Sequence, residues 1–291
     1  MDYLIPRFLC AFLSGAILSQ TGSLIQIGTR NILASPSTLG FDGLSILWIL
    51  ILHSVLLLTG YEHPVTVLFL FVFPVFAIVG FFFSKFIGQS KNIERLILLG
   101  LTFNLLVGAV FSLWQFLFLA FNLPFPVELW FGHFRFANPE ALGILIVLEL
   151  LILFGWWRLS KEFLLFSLGK NLASNWKLEE KTVYKFLFLT VAIGTFTVIS
   201  LFGAFSFMAL VFPILARKLW FKKFDLQGEF LIGGLANGLL LMAIDSACYY
   251  FPIFGAEIPV GLIATAVGAL SLIFLLWTSK GPMEIVAKTK K

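Results

Sequence analysis

Asp245 and Glu149 both fall within long apolar runs of the chain. An ionisable side chain in such a setting is costly and faces protein or water rather than lipid. Asp245 therefore reads in two ways: as a group that lines a polar path or fixes the helices around one, or as a carboxyl group simply hydrogen-bonded to neighbouring helices. Glu149, in Leu-Ile-Val-Leu-Glu-Leu-Leu-Ile-Leu-Phe, requires a polar partner that sequence does not reveal, or a protonated state. A third feature, Glu257-Ile-Pro259-Val-Gly261, interrupts the chain just before its last apolar run. Irregular backbone at membrane depth is tolerated only where it is buried in protein or lines a cavity, so this break suggests a vestibule, the alternative being an ordinary external loop. None of these residues forms a catalytic set. There is no His-Glu-x-x-His, no Gly-x-Ser-x-Gly and no pair of carboxylates on one helix face, and His53, His63 and His133 are widely separated. The phosphate loop Gly-x-x-x-x-Gly-Lys-Ser/Thr is also missing, so the chain cannot hydrolyse ATP by that route and is not expected to be an enzyme. Cys10 and Cys248 carry no pairing motif, and no metal or cofactor is implied.

The elements that must position these groups are set by composition. With 60% hydrophobic and 12% charged residues and a mean hydropathy of +1.01, the chain is no soluble globular domain, where charged residues make up about a quarter. It reads as an all-α, polytopic membrane protein, because in a bilayer only helices or closed barrels satisfy the backbone and the long apolar runs exclude a barrel. Spans are expected near Phe8 to Ile27, Leu44 to Leu58, Val65 to Phe86, Leu96 to Phe121, Ala141 to Trp157, Tyr184 to Phe202, Phe205 to Leu219, Phe230 to Tyr249 and Gly261 to Trp277. That makes about nine, two of them short against the roughly 20 residues a crossing needs. One transmembrane domain over 1–291 is expected. The first span is rich in Gly, Ser, Thr and Gln, which belongs to a helix surrounded by other helices. Phe205 to Leu219, short and preceded by Gly203-Ala204, predicts a bent or half-length helix. Gly234-Leu-Ala-Asn-Gly238 has the small-xxx-small spacing of close helix packing.

Orientation follows from Lys and Arg, which accumulate in cytoplasmic loops. Arg158 to Lys185 is the longest polar interval and reads as short helices around Gly169 at a membrane surface. If it is cytoplasmic, the alternating spans place 18 of the 20 Lys and Arg inside and only Arg7 and Arg135 outside. The amino terminus is then outside and the carboxyl terminus cytoplasmic. The first span lacks a basic leader or a small-residue cleavage site and is not expected to be a removable signal peptide.

A resemblance runs through the chain from Ile5 to Leu276. The small-residue helix, then Gln26, Arg30-Asn31, Leu33-Ala34, Pro36 and Leu39-Gly40, resembles the permease subunits of the iron-siderophore, haem and cobalamin class of ATP-binding cassette (ABC) importers. Leu168-Gly169 with Ala173 resembles the family's cytoplasmic coupling loop, and Gly203, Phe207, Leu210, Val211, Pro213 and Arg217 its glycine-to-proline-to-arginine helix. Asp245 matches an acidic position, and Glu257, Pro259, Val260, Gly261 and Gly268 match the motif that opens the last helix. Trp130-Phe-Gly132-His133-Phe134 resembles a short external helix. The family carries one further span before Pro6-Arg7; its proline after Asn31 is here Ile32, its Gly-Ala is Leu44-Ser45, its histidine after Pro213 is Ile214, and its coupling loop here has Lys170 and Trp176-Lys177.

The resemblance implies a cobalamin-importer-like fold lacking the usual first helix, which is either lost or cut off by a truncated start, in the cell (inner) membrane of a bacterium or archaeon. It implies a homodimer in lipid, ATPase subunits below and an extracytoplasmic binding protein above; no nucleic-acid partner is expected. Leu168, Gly169, Leu172 and Ala173, within a coupling segment at 158–183, would meet the ATPase. Asn92 and Glu94, in the loop Gln89 to Arg95, would close the inner end of the pathway, to which Pro213, Asp245, Glu257, Pro259 and Gly261 also belong. Arg7 would dock the binding protein, and Gly234 to Gly238 would pack at the dimer contact. A ferric siderophore is the expected cargo, with haem or cobalamin as alternatives. A rival of another class, an ion-coupled secondary transporter, calls for more intramembrane charge or an inverted repeat, and neither is evident.

Overall fold

A computed structural model describes residues 4–59, 93–123, 128–168, 180–205, 207–220, 226–252 and 257–278. The expected span Val65 to Phe86 and the residues Asn92, Gly169, Leu172 and Ala173 lie outside them, as does the basic tail. All regular structure among the described residues is helical: α1 (Leu4–Thr29), α2 (Phe41–Thr59), α3 (Ile93–Ala120), α4 (Glu128–Phe131), α5 (Pro139–Leu168), α6 (Glu180–Phe202), α7 (Met208–Trp220), α8 (Leu226–Tyr250) and α9 (Val260–Thr278), with a single 3₁₀ turn at Ser37–Leu39. Five helices are long and apolar enough to cross a membrane, namely α1, α3, α5, α6 and α8.

Helix α1 is the centre of the bundle, packed on α8, α6, α5 and α7. Its small residues explain that position. A Cβ on Gly15 would stand 2.7 Å from the Asn237 carbonyl oxygen of α8, one on Gly238 would stand 2.6 Å from the Phe12 carbonyl oxygen, and Asn237 Nδ2 donates to the Gly15 carbonyl at 2.6 Å. The Gly234 to Gly238 spacing thus serves contact between α8 and α1 of one chain, the close helix packing that the spacing predicts. Helices α3, α5 and α9 form the periphery, with Leu105, Phe116, Leu150, Phe154, Leu270 and Trp277 all more than half exposed.

Several boundaries differ from expectation by a few residues, among them Ile93, which puts Glu94 in α3 rather than in the expected loop, and two of the differences have a clear local cause. The span expected to stop at Trp157 continues without interruption to Leu168, because Arg158 to Leu168 contains no Gly or Pro and its Phe163 is buried against Trp156, ring centroids 5.1 Å apart. The short span begins at Met208 rather than Phe205. Gly203, at φ 82°, ends α6 with its N–H on the Ile199 carbonyl at 2.8 Å, and Phe207 is also left-handed at φ 68°, so helix resumes only afterwards. At 13 residues, α7 covers about 20 Å, the half-length helix that the sequence predicts.

Candidate transport pathway and its two arginine centres

At one end of the bundle the start of α1, the end of α8 and the lead into α9 meet on Arg7. Its Nε donates to Asp245 Oδ1 and Oδ2 at 3.1 and 3.0 Å, and Nη2 donates to Oδ1 at 2.8 Å. Nη1 donates to Glu257 Oε2 at 3.1 Å, and the guanidinium lies 4.8 Å from the ring centroid of Tyr249. Arg7 and Asp245 are almost wholly buried, whereas Glu257 is 38% exposed. A planar fork of donors suits this two-carboxylate arrangement, which lysine could not reproduce. The docking role implied for Arg7 requires an accessible guanidinium; the structure instead encloses it, because both carboxylates and Tyr249 surround the head group. Asp245 fixes helices through Arg7.

Beside this centre the segment before α9 closes against the chain between α4 and α5. Gly261 N–H donates to the Gly132 carbonyl at 3.0 Å, and His133 N–H donates to the Phe202 carbonyl at 2.7 Å. A Cβ on Gly261 would fall 2.3 Å from the Phe131 carbonyl oxygen, so no side chain fits there. Val260 is buried and Pro259 partly so. Glu257 thus joins this segment to Arg7 of α1, and Gly261 joins it to the chain after α4, with Pro259 between them.

The other end has a second arginine centre, on α7. Pro213 has no N–H to offer inside its helix. The loosened turn is met by α1: Gln26 Nε2 donates to the Leu210 carbonyl at 3.0 Å, and Gly22 makes room for the Ala209 carbonyl, which any Cβ at that position would strike. Gln26 Oε1 in turn accepts from Arg217 Nη2. Arg217 Nε stands 2.9 Å from Glu229 Oε1 of α8, an ion pair. Pro213 and Arg217 are thus joined through one glutamine. Glu229, buried at 3% exposure, escapes the sequence reading because it precedes the expected start of its span at Phe230.

Near the same end Asn104 of α3 donates to the Ser37 carbonyl and accepts the Gly43 N–H at 3.1 Å, and Gly100 packs against Thr38 and Leu39. Glu94 lies in the first turn of α3. Leu168 is the last residue of α5, so of the four coupling residues it alone belongs to a described helix. The partner that Glu149 lacks in sequence is Gln20 of α1, whose Nε2 donates to Glu149 Oε1 at 2.7 Å.

Comparison with known proteins agrees in fold and extent. The model of the FecCD transport family matches residues 1–278. The petrobactin import system permease protein YclO of Bacillus subtilis (strain 168) is 25% identical over 285 residues, covering 94% of this chain and 89% of its own length. The vitamin B12 import system permease protein BtuC of Vibrio vulnificus (strain CMCP6) is 27% identical, covering 95% and 82%. Among solved structures, a metal-chelate type ABC transporter in an inward-facing conformation superposes with a TM-score of 0.76 at 24% identity, over 94% of this chain and 86% of that one.

Proposed function

Since this chain belongs to the FecCD transport family, we propose that it is the membrane permease of an ABC importer that brings an iron-siderophore-type metal chelate into the cytoplasm. The observation that carries the reading is the extent of the match, which takes in the glycine-to-proline-to-arginine helix, Asp245 and the Glu257 to Gly261 segment together. The permease acts as a homodimer, with ATPase subunits bound at Leu168, Gly169, Leu172 and Ala173 and a binding protein on the opposite face. The chain itself hydrolyses nothing. ATP moves the assembly between access states by binding them with different affinity. Asn92 and Glu94 close the inner end, while Pro213, Asp245, Glu257, Pro259 and Gly261 shape the path and its vestibule. Relatives named for petrobactin and for ferric enterobactin import favour a ferric siderophore; the relative named for vitamin B12 import supports cobalamin as the second reading.

Ala173→Glu tests the role. A carboxylate on a bulky side chain at the contact core should abolish co-purification of the ATPase, or transport, while insertion into the membrane stays normal. A variant that keeps both would sink the reading. Uptake by proteoliposomes offered a ferric siderophore, haem or cobalamin in parallel then identifies the cargo, and uptake of cobalamin alone would replace the first reading by the second.

A further inference from the structure

Glu149 is the one residue singled out by sequence that the transport reading leaves idle. It sits on α5 between Ile146, Val147, Leu150 and Leu151, all of them 42 to 61% exposed, so this helix turns an apolar face outward. Glu149 points the other way, to Gln20, which is 3% exposed on α1. Gln20 also touches α8, because a Cβ on Gly234 would stand 3.0 Å from its Nε2. Two buried oxygens of the pair, Glu149 Oε2 and Gln20 Oε1, have no hydrogen-bond partner among the described residues. Such a pair stabilises less than well-packed apolar side chains of the same volume, and the best-attested use of polar groups so placed is to fix register.

Register matters for this helix because of where it leads. From Glu149, α5 runs unbroken to Leu168, about 28 Å at roughly 1.5 Å per residue. Apolar surfaces also hold it to the bundle: Trp156 stacks on Phe230 of α8 at 3.9 Å, and Gly155 receives the ring of Phe186 of α6. A directed hydrogen bond between buried groups adds a fixed axial position to what the packed rings provide. Gln20–Glu149 is a polar tie between α5 and α1.

We propose that Gln20 and Glu149 are positioning residues that make α1 follow α5 when the ATPase displaces the Leu168 end. This rests on the coupling role proposed above. The experiment uses the complete transporter, permease with ATPase and binding protein, in proteoliposomes supplied with the transported substrate, and reads substrate moved per ATP hydrolysed. Glu149→Leu removes the tie. Complexes carrying it should assemble and hydrolyse ATP, but move about fivefold less substrate per ATP or worse. Glu149→Gln should hold the parental ratio, since its amide accepts from Gln20 Nε2 and offers an N–H to Gln20 Oε1. A purely structural role would lower the yield of transporter and leave the ratio unchanged, which overturns the proposal, as does an equal fall in both variants. Should Glu149→Leu fail to accumulate, the exchanged pair Gln20→Glu with Glu149→Gln decides: it must keep the parental ratio, and a fall overturns the proposal. A parental chain that recruits no ATPase defeats the transport reading first, and this inference with it.

Discussion

A guanidinium buried among apolar helices is stable only while its carboxylates remain, and Arg7 has two that differ in setting. Asp245 is fully enclosed and Glu257 is partly open to solvent. Removing one partner of a buried pair leaves an uncompensated charge and costs about 3–5 kcal/mol, whereas an exposed pair contributes roughly 0–1 kcal/mol. Asp245→Asn is therefore expected to lower the thermal unfolding midpoint of the detergent-purified protein strongly, and Glu257→Gln only slightly. Equal losses would show that both carboxylates carry the same load. At this scale sequence shows which residues are out of place but not what satisfies them. Asp245 and Glu149 are conspicuous because charge is rare in apolar runs, yet their partners lie 238 and 129 positions away. Gln20 and Gln26 look alike in sequence. Only packing separates the one that ties α1 to α5 from the one that joins α1 to α7.

Among the helices, α1 and α7 approach each other more closely than any side chain at the contact allows. A Cβ on Gly22 would overlap the Ala209 carbonyl oxygen, at 1.7 Å, and a backbone atom cannot swing aside as a flexible side chain can. Gly22→Ala must part the two helices, break the bond from Gln26 to Leu210, and lower both stability and transport. Gly143 of α5 is the matched control, with nothing within 4 Å of its added Cβ. Gly143→Ala should leave transport unchanged and stabilise by up to about 1 kcal/mol, the helix-propensity difference between the two residues. Thermal unfolding of both variants checks the contrast, and a Gly22→Ala protein as stable as the parent would show that α7 can shift without cost. Helix identity and order follow from apolar run length and from the Gly and Pro that interrupt it. Ends were less readable where polarity changes without a helix breaker: α5 crosses from apolar to charged sequence at Arg158 and keeps its geometry, because helix continuation depends on backbone and packing rather than on polarity.

Over the whole molecule, the two arginine centres sit at opposite ends, and this gives orientation a physical basis beyond a count of charges. The Arg7 end holds Asp245, Glu257, Gly132 and the end of α6; the Arg217 end holds Gln26, Glu229 and, on α1, Gly28 against Leu187. Gly100 of α3 packs on Thr38 and Leu39, which follow α1 in the chain, so α3 starts at the Arg217 end. The charge carried by Arg7 is neutralised within the protein, which leaves Arg135 as the positive side chain of its end that is not buried, while Arg30, Arg158, Lys161 and Lys185 fall at the other. Cytoplasmic loops accumulate Lys and Arg, so the Arg217 end is expected to face the cytoplasm and the Arg7 end the outside. An Arg135→Cys protein should react with a membrane-impermeant maleimide in intact cells, and a Lys161→Cys protein only after permeabilisation. Native Cys10 and Cys248 are buried and should stay silent. A fluorescent protein fused at the carboxyl terminus should fold in the cytoplasm and fluoresce, whereas a fusion exported unfolded would stay dark. Labelling of Lys161→Cys from outside would invert the molecule, put the coupling segment on the wrong side of the membrane for any ATPase, and remove the transport mechanism at a stroke.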